Sequence, residues 1–155
     1  MKMKQILLFI FLTGFMNVSA QESDETKVQK TIEAFFNGFH KQDSLLIKQT
    51  VSDGIIAQTI GKNKDGTTAL RTEDFSNFLK SIVSIPDTVN FQEKILSFNI
   101  QVDGAMANAW TPYEFWYNDA FSHCGVNSFQ LLKEGADWKI IYLIDTRRKK
   151  GCIEE

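Results

Sequence analysis

From Val89 to Lys149 the chain reads as strands and tight turns and nothing else, and this limits its fold more than any other feature. Phe91 to Val102 is the first segment and Asp103-Gly104 ends it. Ala105 to Tyr117 follows, ended by Asn118-Asp119. Ala120 to Glu134 comes next, ended by Gly135, and Asp137 to Lys149 is the last. Strands joined by such short connections pair with their neighbours as an antiparallel meander, because a two-residue link can only reverse the chain. A sheet of this kind exposes an apolar face that other elements must cover.

The cover comes from the first half. Val28, Ile32, Phe35, Phe36 and Phe39 recur at the spacing of one helical face, with Thr26 or Asp24 available as the cap and Gly38 weakening the end. Asp43 or Ser44 opens a second short helix with Leu45, Leu46 and Ile47. Asp53-Gly54 reads as a turn and Gly54 to Ile60 as a strand. Gly61 to Gly66 is a loop; no Lys-Ser/Thr pair follows Gly66, so it lacks the pattern of a phosphate cradle. Thr72 is expected to cap a third helix, whose buried face is Phe75, Phe78, Leu79 and Ile82 and which Pro86 closes. The resulting expectation is an α+β fold: a curved antiparallel sheet with three N-terminal helices on its concave face.

Residues 1–20 read differently. Lys2 and Lys4 precede an apolar run from Ile6 to Met16, and Val18-Ser19-Ala20 offers the small residues that a signal peptidase reads. The run is shorter than the roughly 20 residues of a membrane span. The expectation is export to the periplasm or beyond, with cleavage near Ala20 and no membrane attachment afterwards. A polar segment, 21–26, then leads into one domain over 27–152. Removing Lys2 and Lys4 takes the formal net charge from −2 to −4, which is not the basic surplus of a nucleic-acid binder. Arg147-Arg148-Lys149-Lys150 reads as a solvated strand end, with an anion-binding rim as the alternative. At 43% hydrophobic and 23% charged residues, the chain is neither disordered nor a multi-span membrane protein. An oxidising compartment would allow Cys124 and Cys152 to pair. The strand register sets them several residues apart, so the bridge requires the C-terminal tail to fold back.

The element order resembles the nuclear transport factor 2-like superfamily, the conical α+β fold shared with ketosteroid isomerase-like and polyketide cyclase-like proteins. Ala109-Trp110-Thr111-Pro112-Tyr113-Glu114-Phe115, Phe121-Ser122-His123-Cys124-Gly125 and Asp137-Trp138-Lys139-Ile140 resemble a small bacterial branch named lumazine-binding after a predicted ligand. The resemblance implies a fold and a pocket, with no single reaction, because one scaffold hosts enzymes and non-enzymes.

Turn geometry offers a register. A two-residue turn at Asn118-Asp119 makes Tyr117 face Ala120 and, continued without interruption, sets His123 opposite Glu114 and Asn127 opposite Trp110. A second turn at Gly135-Ala136 makes Glu134 face Asp137 and brings Tyr142 and Ile144 onto the same face as His123 and Asn127. On this register Trp110, Glu114, His123, Asn127, Tyr142 and Arg148 line the pocket, while Tyr113, Cys124, Asp145 and Arg147 lie on the outer, polar or dimer-forming face. A bulge would flip part of either set. The function expected is binding of a small aromatic or hydrophobic molecule. One alternative is an isomerase or dehydratase in which Glu114 and His123 form the catalytic proton-transfer pair. Another is a dimeric protein-interaction module. No cofactor is expected. No metal is expected either, since the few His and Cys do not make a ligand set.

Overall fold

The computed structural model describes residues 22–152 except Asp87. The expected export leader and its cleavage point lie outside the described residues. The fold is α+β, with three helices on one side of a seven-stranded curved sheet. Helix α1, Asp24–His40, is capped by Ser23, whose hydroxyl accepts from the Thr26 N–H. The cap is therefore Ser23, not Thr26 or Asp24. Asp24 instead reaches across to the sheet, where Lys133 Nζ (2.8 Å) and Trp138 Nε1 (3.2 Å) donate to its carboxylate. Helix α2, Ser44–Thr50, is capped by Asp43, which accepts from Leu45 and Leu46. A Cβ on Gly38 would come within 2.9 Å of Ile47, so the glycine that weakens the helix end also admits α2.

Strand β1 runs Val51–Lys62, beginning directly after α2 and carrying Gly54 inside it at an irregularity in its pairing. The expected turn at Asp53-Gly54 is thus a bulge in a longer strand. Thr68–Glu73 is a strand, β2, which pairs back onto β1 through the loop at residues 63–67. Asp65 organises that loop by accepting from the Thr67 N–H and hydroxyl. Thr72 therefore lies in a strand, and Asp74 caps helix α3, Phe75–Val83, by accepting from Asn77.

The remaining strands are β3 (Phe91–Ile95), β4 (Asn99–Asp103), β5 (Met106–Tyr117), β6 (Ala120–Glu134) and β7 (Asp137–Arg148). The segment expected as one strand over 91–102 is broken in two, and both parts pair with β5. Pro112 sits opposite the break. It has no N–H to give the ladder, and its carbonyl accepts from Leu96. The sheet order is β2-β1-β7-β6-β5-β3, and β1 runs parallel to β7. The sheet is therefore mixed: β5, β6 and β7 form the expected meander, and β1 extends it by a parallel pairing.

Both hairpin turns fall where the sequence places them, with Tyr117 facing Ala120 and Glu134 facing Asp137. Asn118 and Asp119 both take positive φ, as the tight hairpin turn demands. The register then slips twice. Ser122 is an extra residue in β6, so His123 faces Phe115 and Cys124 faces Glu114. Ile141 is an extra residue in β7, so Leu143, Asp145 and Arg147 take the face that Ile140 holds below it.

The core lies between α1 and the lower sheet, where Val28, Ile32, Phe35 and Ile47 pack on Ala107, Phe129, Leu131 and Ile140. Each fully buried aliphatic or aromatic side chain contributes about 1.5–3 kcal/mol. Phe35 and Phe36 meet each other and Phe129 edge-on, with centroids 5.4–6.4 Å apart.

Beyond β7 the chain turns back at Gly151, whose carbonyl accepts from Arg148 Nε. This turn brings Cys152 to Cys124, with Cα atoms 5.8 Å apart in a disulfide. The reversal that the strand register made a condition of the bridge is thus present. Closing a loop with 28 residues of separation stabilises by about 3.5 kcal/mol. The double variant Cys124→Ala/Cys152→Ala is expected to lose about that much in denaturant unfolding. An unchanged midpoint would mean that the tail is not fastened.

Candidate functional site

A cavity of about 370 Å³ opens between α1, α3 and the upper half of the sheet. Its two helical walls are aromatic. Phe35, Phe36 and Phe39 come from α1, and Phe75 and Phe78 from α3. Phe39 and Phe78 stack across the two helices at 6.2 Å with planes 7° apart, and Phe39 meets Phe91 edge-on at 5.0 Å. These rings share one side because α1 repeats its apolar residues at helical spacing and α3 repeats Phe75, Phe78 and Ile82 in the same way.

The sheet supplies the polar side. Glu93 on β3 sits between Phe91 and Ile95 on the inward face and lines the cavity. The Asn127 amide donates to Glu93 Oε1 at 2.7 Å, and the Glu93 N–H donates to His40 Nε2 at 2.9 Å. Burial pushes the Glu93 carboxyl up to about 7; Asn127 pulls the other way, and the Asp145 charge adds to the rise. A carboxyl poised there can both take and give a proton near neutrality. His40 is held below its ordinary range, first by burial.

Asp145 lies opposite Asn127 on β7. Its Oδ2 accepts from Arg147 Nε at 2.8 Å and from the Tyr113 hydroxyl at 3.3 Å. Burial, then the Glu93 and Asp145 charges, raise Tyr113 above its ordinary range, so it remains a neutral phenol and a donor. Burial opposes the charge on Arg147, but Asp145 more than restores it. Arg147 remains 60% exposed while Asp145 is 12% exposed, so the cation sits outside its partner. Among the described residues no group of three or more His, Cys, Asp or Glu is arranged to hold a metal ion.

Tyr113 reaches Asp145 by lying across Gly125, its cross-strand partner, and donating also to the Thr146 carbonyl at 3.0 Å. A Cβ on Gly125 would stand 2.8 Å from the Tyr113 ring and hydroxyl and would strike the Thr146 carbonyl oxygen. Glycine is thus required here for close approach.

Of the residues expected in the pocket, His123 and Asn127 line it. His123 stacks on Phe115 at 4.9 Å, its Nδ1 is 3.1 Å from the Ser122 hydroxyl, and burial followed by Arg147 holds it below its ordinary range. The other four do not line it. Trp110 is 54% exposed on the outer face. Glu114 faces Cys124 and accepts from Trp116 Nε1, so the Glu114–His123 pair does not form. Tyr142 and Arg148 are turned away by the bulge at Ile141; Tyr142 donates to Gln58 and Arg148 to Gly151. In their place stand Glu93, Tyr113, Asp145 and Arg147, the last three assigned to the outer face by an unbroken register. Glu93 carried a signal in the sequence, as the acid in the alternation Phe91, Glu93, Ile95. The bulges left none.

No sequence-family model matches the chain, and no curated protein sequence matches it. Solved structures do. An NTF2-like protein of unknown function from Pseudomonas putida superposes with a TM-score of 0.65 at 13% identity, over 79% of this chain and 84% of that one. A protein of unknown function with a cystatin-like fold from Nostoc punctiforme gives 0.64 at 12% identity, over 82% and 92%. A proposed dehydratase of the NTF2-like family from Streptomyces avermitilis gives 0.61 at 12% identity, over 81% and 96%. The chain has the NTF2-like, cystatin-like fold that its element order resembles.

The Tyr113–Gly125 contact makes a stability prediction. Gly125→Ala must displace backbone as well as the Tyr113 ring, at a cost of about 3 kcal/mol. Equilibrium unfolding of that variant is expected to show the loss. Wild-type stability would contradict the packing of Tyr113 across the sheet.

Proposed function

We propose that this is an exported small-molecule-binding domain whose ligand has a flat, apolar body and a polar end. The observation that carries the reading is the cavity's division into two sides. Phenylalanines from α1 and α3 form one, and hydrogen-bonding groups from the sheet converge on the other. An apolar enclosure with a few placed polar groups is the usual form of a small-ligand site, and about 370 Å³ lies within the range of such sites. The stacked pair Phe39–Phe78 favours a ring-shaped occupant, since flat faces offer the most contact to another ring. Export is supported by the basic, apolar and small-residue pattern of residues 1–20 and by the Cys124–Cys152 bridge, which persists in oxidising compartments. Other proteins of this fold include a proposed dehydratase, so binding and turnover are both compatible with the scaffold.

The neutral fluorophore N-phenyl-1-naphthylamine tests the reading. Its emission is expected to rise on mixing with the wild-type domain and to stay at the free-probe level with Ala57→Trp, which fills the cavity from β1. No rise with the wild type, or an equal rise with the folded variant, would contradict the site.

A further inference from the structure

We infer that the polar end of the ligand is cationic or N–H-rich, such as a protonated amine or amidine on an aromatic ring, and that Glu93 and Asp145 receive it. The inference rests on the small-molecule reading above and specifies which chemistry the site prefers. It follows from the balance of charge around the cavity. Glu73 on β2, Glu93 on β3 and Asp145 on β7 line it, against one guanidinium, Arg147. That guanidinium is already bound to Asp145 through Nε and is the more exposed of the two groups. A ligand anion entering past it would meet Glu93 and Asp145 with no second cation in the lining to offset them. A ligand cation would meet two carboxylates in a desolvated setting, where their attraction is least screened.

The hydrogen-bond inventory agrees. Among the described residues, Glu93 is engaged only through Oε1 and Asp145 only through Oδ2. Each carboxylate thus keeps an acceptor oxygen for a ligand N–H. The neutral groups nearby add acceptors or stay neutral. Tyr113 spends its proton on Asp145 and the Thr146 carbonyl. Burial keeps His40 and His123 less basic than usual. Helix α3 contributes Phe75, Phe78, Ser81 and Ile82, none of which carries a charge.

The pH dependence has a definite sign. Glu93 titrates at about 7, so a cation is bound more tightly as pH rises through that value and Glu93 becomes a carboxylate. Below it the affinity falls, and protonation of His40 and His123 moves the balance in the same direction. Lys149 lowers His123 further, and Arg147, raised above its ordinary range by Asp145, keeps its charge throughout. An anion would show the opposite slope.

Three probes sharing a naphthalene separate the possibilities: 1-naphthylmethylamine, 1-naphthylmethanol and 1-naphthoate, titrated calorimetrically into the full mature protein at pH 5.5, 7 and 8. The expected order at pH 8 is amine, then alcohol, then carboxylate, with about tenfold or more between amine and carboxylate. The amine should gain about tenfold or more from pH 5.5 to pH 8, within the limit of about thirtyfold that one ionisation at about 7 sets. Glu93→Gln should remove most of that gain, and Asp145→Asn should weaken the amine without removing the slope. The wild-type pH profile decides the matter even where a variant does not fold. Tighter binding of the carboxylate, or equal binding of all three, overturns the inference and leaves the small-molecule reading standing. Binding of none of the three overturns both.

Discussion

One inserted residue, Ile141, determines the chemistry of the cavity. Below it, β7 turns Trp138 and Ile140 to the core; above it, the same face carries Leu143, Asp145 and Arg147. Without the bulge the alternation would continue through Tyr142 and Ile144, and the inward wall would be apolar with no carboxylate on β7. The bulge at Ser122 has a similar effect on β5 and β6. It brings Phe115, and not Glu114, beside His123, and it aligns Tyr113 with Gly125 so that the phenol can cross to Asp145. Bulges are frequent beside functional sites because they re-aim side chains at small cost to the ladder.

The aromatic walls then give that polar cluster its character. Phenylalanines from two helices and from β5 line the space into which Glu93 projects, and Phe91 on β3 packs behind Phe39. Desolvation disfavours the carboxylate more than the Asn127 hydrogen bond favours it, and the Asp145 charge acts in the same direction as burial. The group is held in place from both ends, by Asn127 at the side chain and by His40 at the backbone. The fastened tail adds rigidity nearby, since Cys124 precedes Gly125 on β6 and binds the chain that follows β7.

Much of the architecture could be read from the sequence because it depends on local rules. The period of Val28, Ile32, Phe35 and Phe36 made α1, and Asn118-Asp119 and Gly135 placed both hairpins correctly. Non-local pairing was harder to read. Thr68–Glu73 became a strand because β1 offered it an edge, and β1 joined β7 in parallel across most of the chain. The site was read in part. His123 and Asn127 lie on β6 beyond the hairpin that fixed its inward face, so both line the cavity. Trp110, Glu114, Tyr142 and Arg148 were inferred across strands in which an inserted residue reversed the parity. No residue type marks Ser122 or Ile141 as a bulge, so no sequence rule could have corrected the assignment.

The chemistry of the cavity therefore depends on Glu93 being a desolvated carboxyl that senses an inward-facing Asp145. A carbon-13 NMR titration of the Glu93 side-chain carboxyl measures this directly. A midpoint at about 7 in the wild type, falling part of the way toward 4.5 in Asp145→Asn, is the predicted result. A wild-type midpoint near 4.5, unchanged by that substitution, would contradict it.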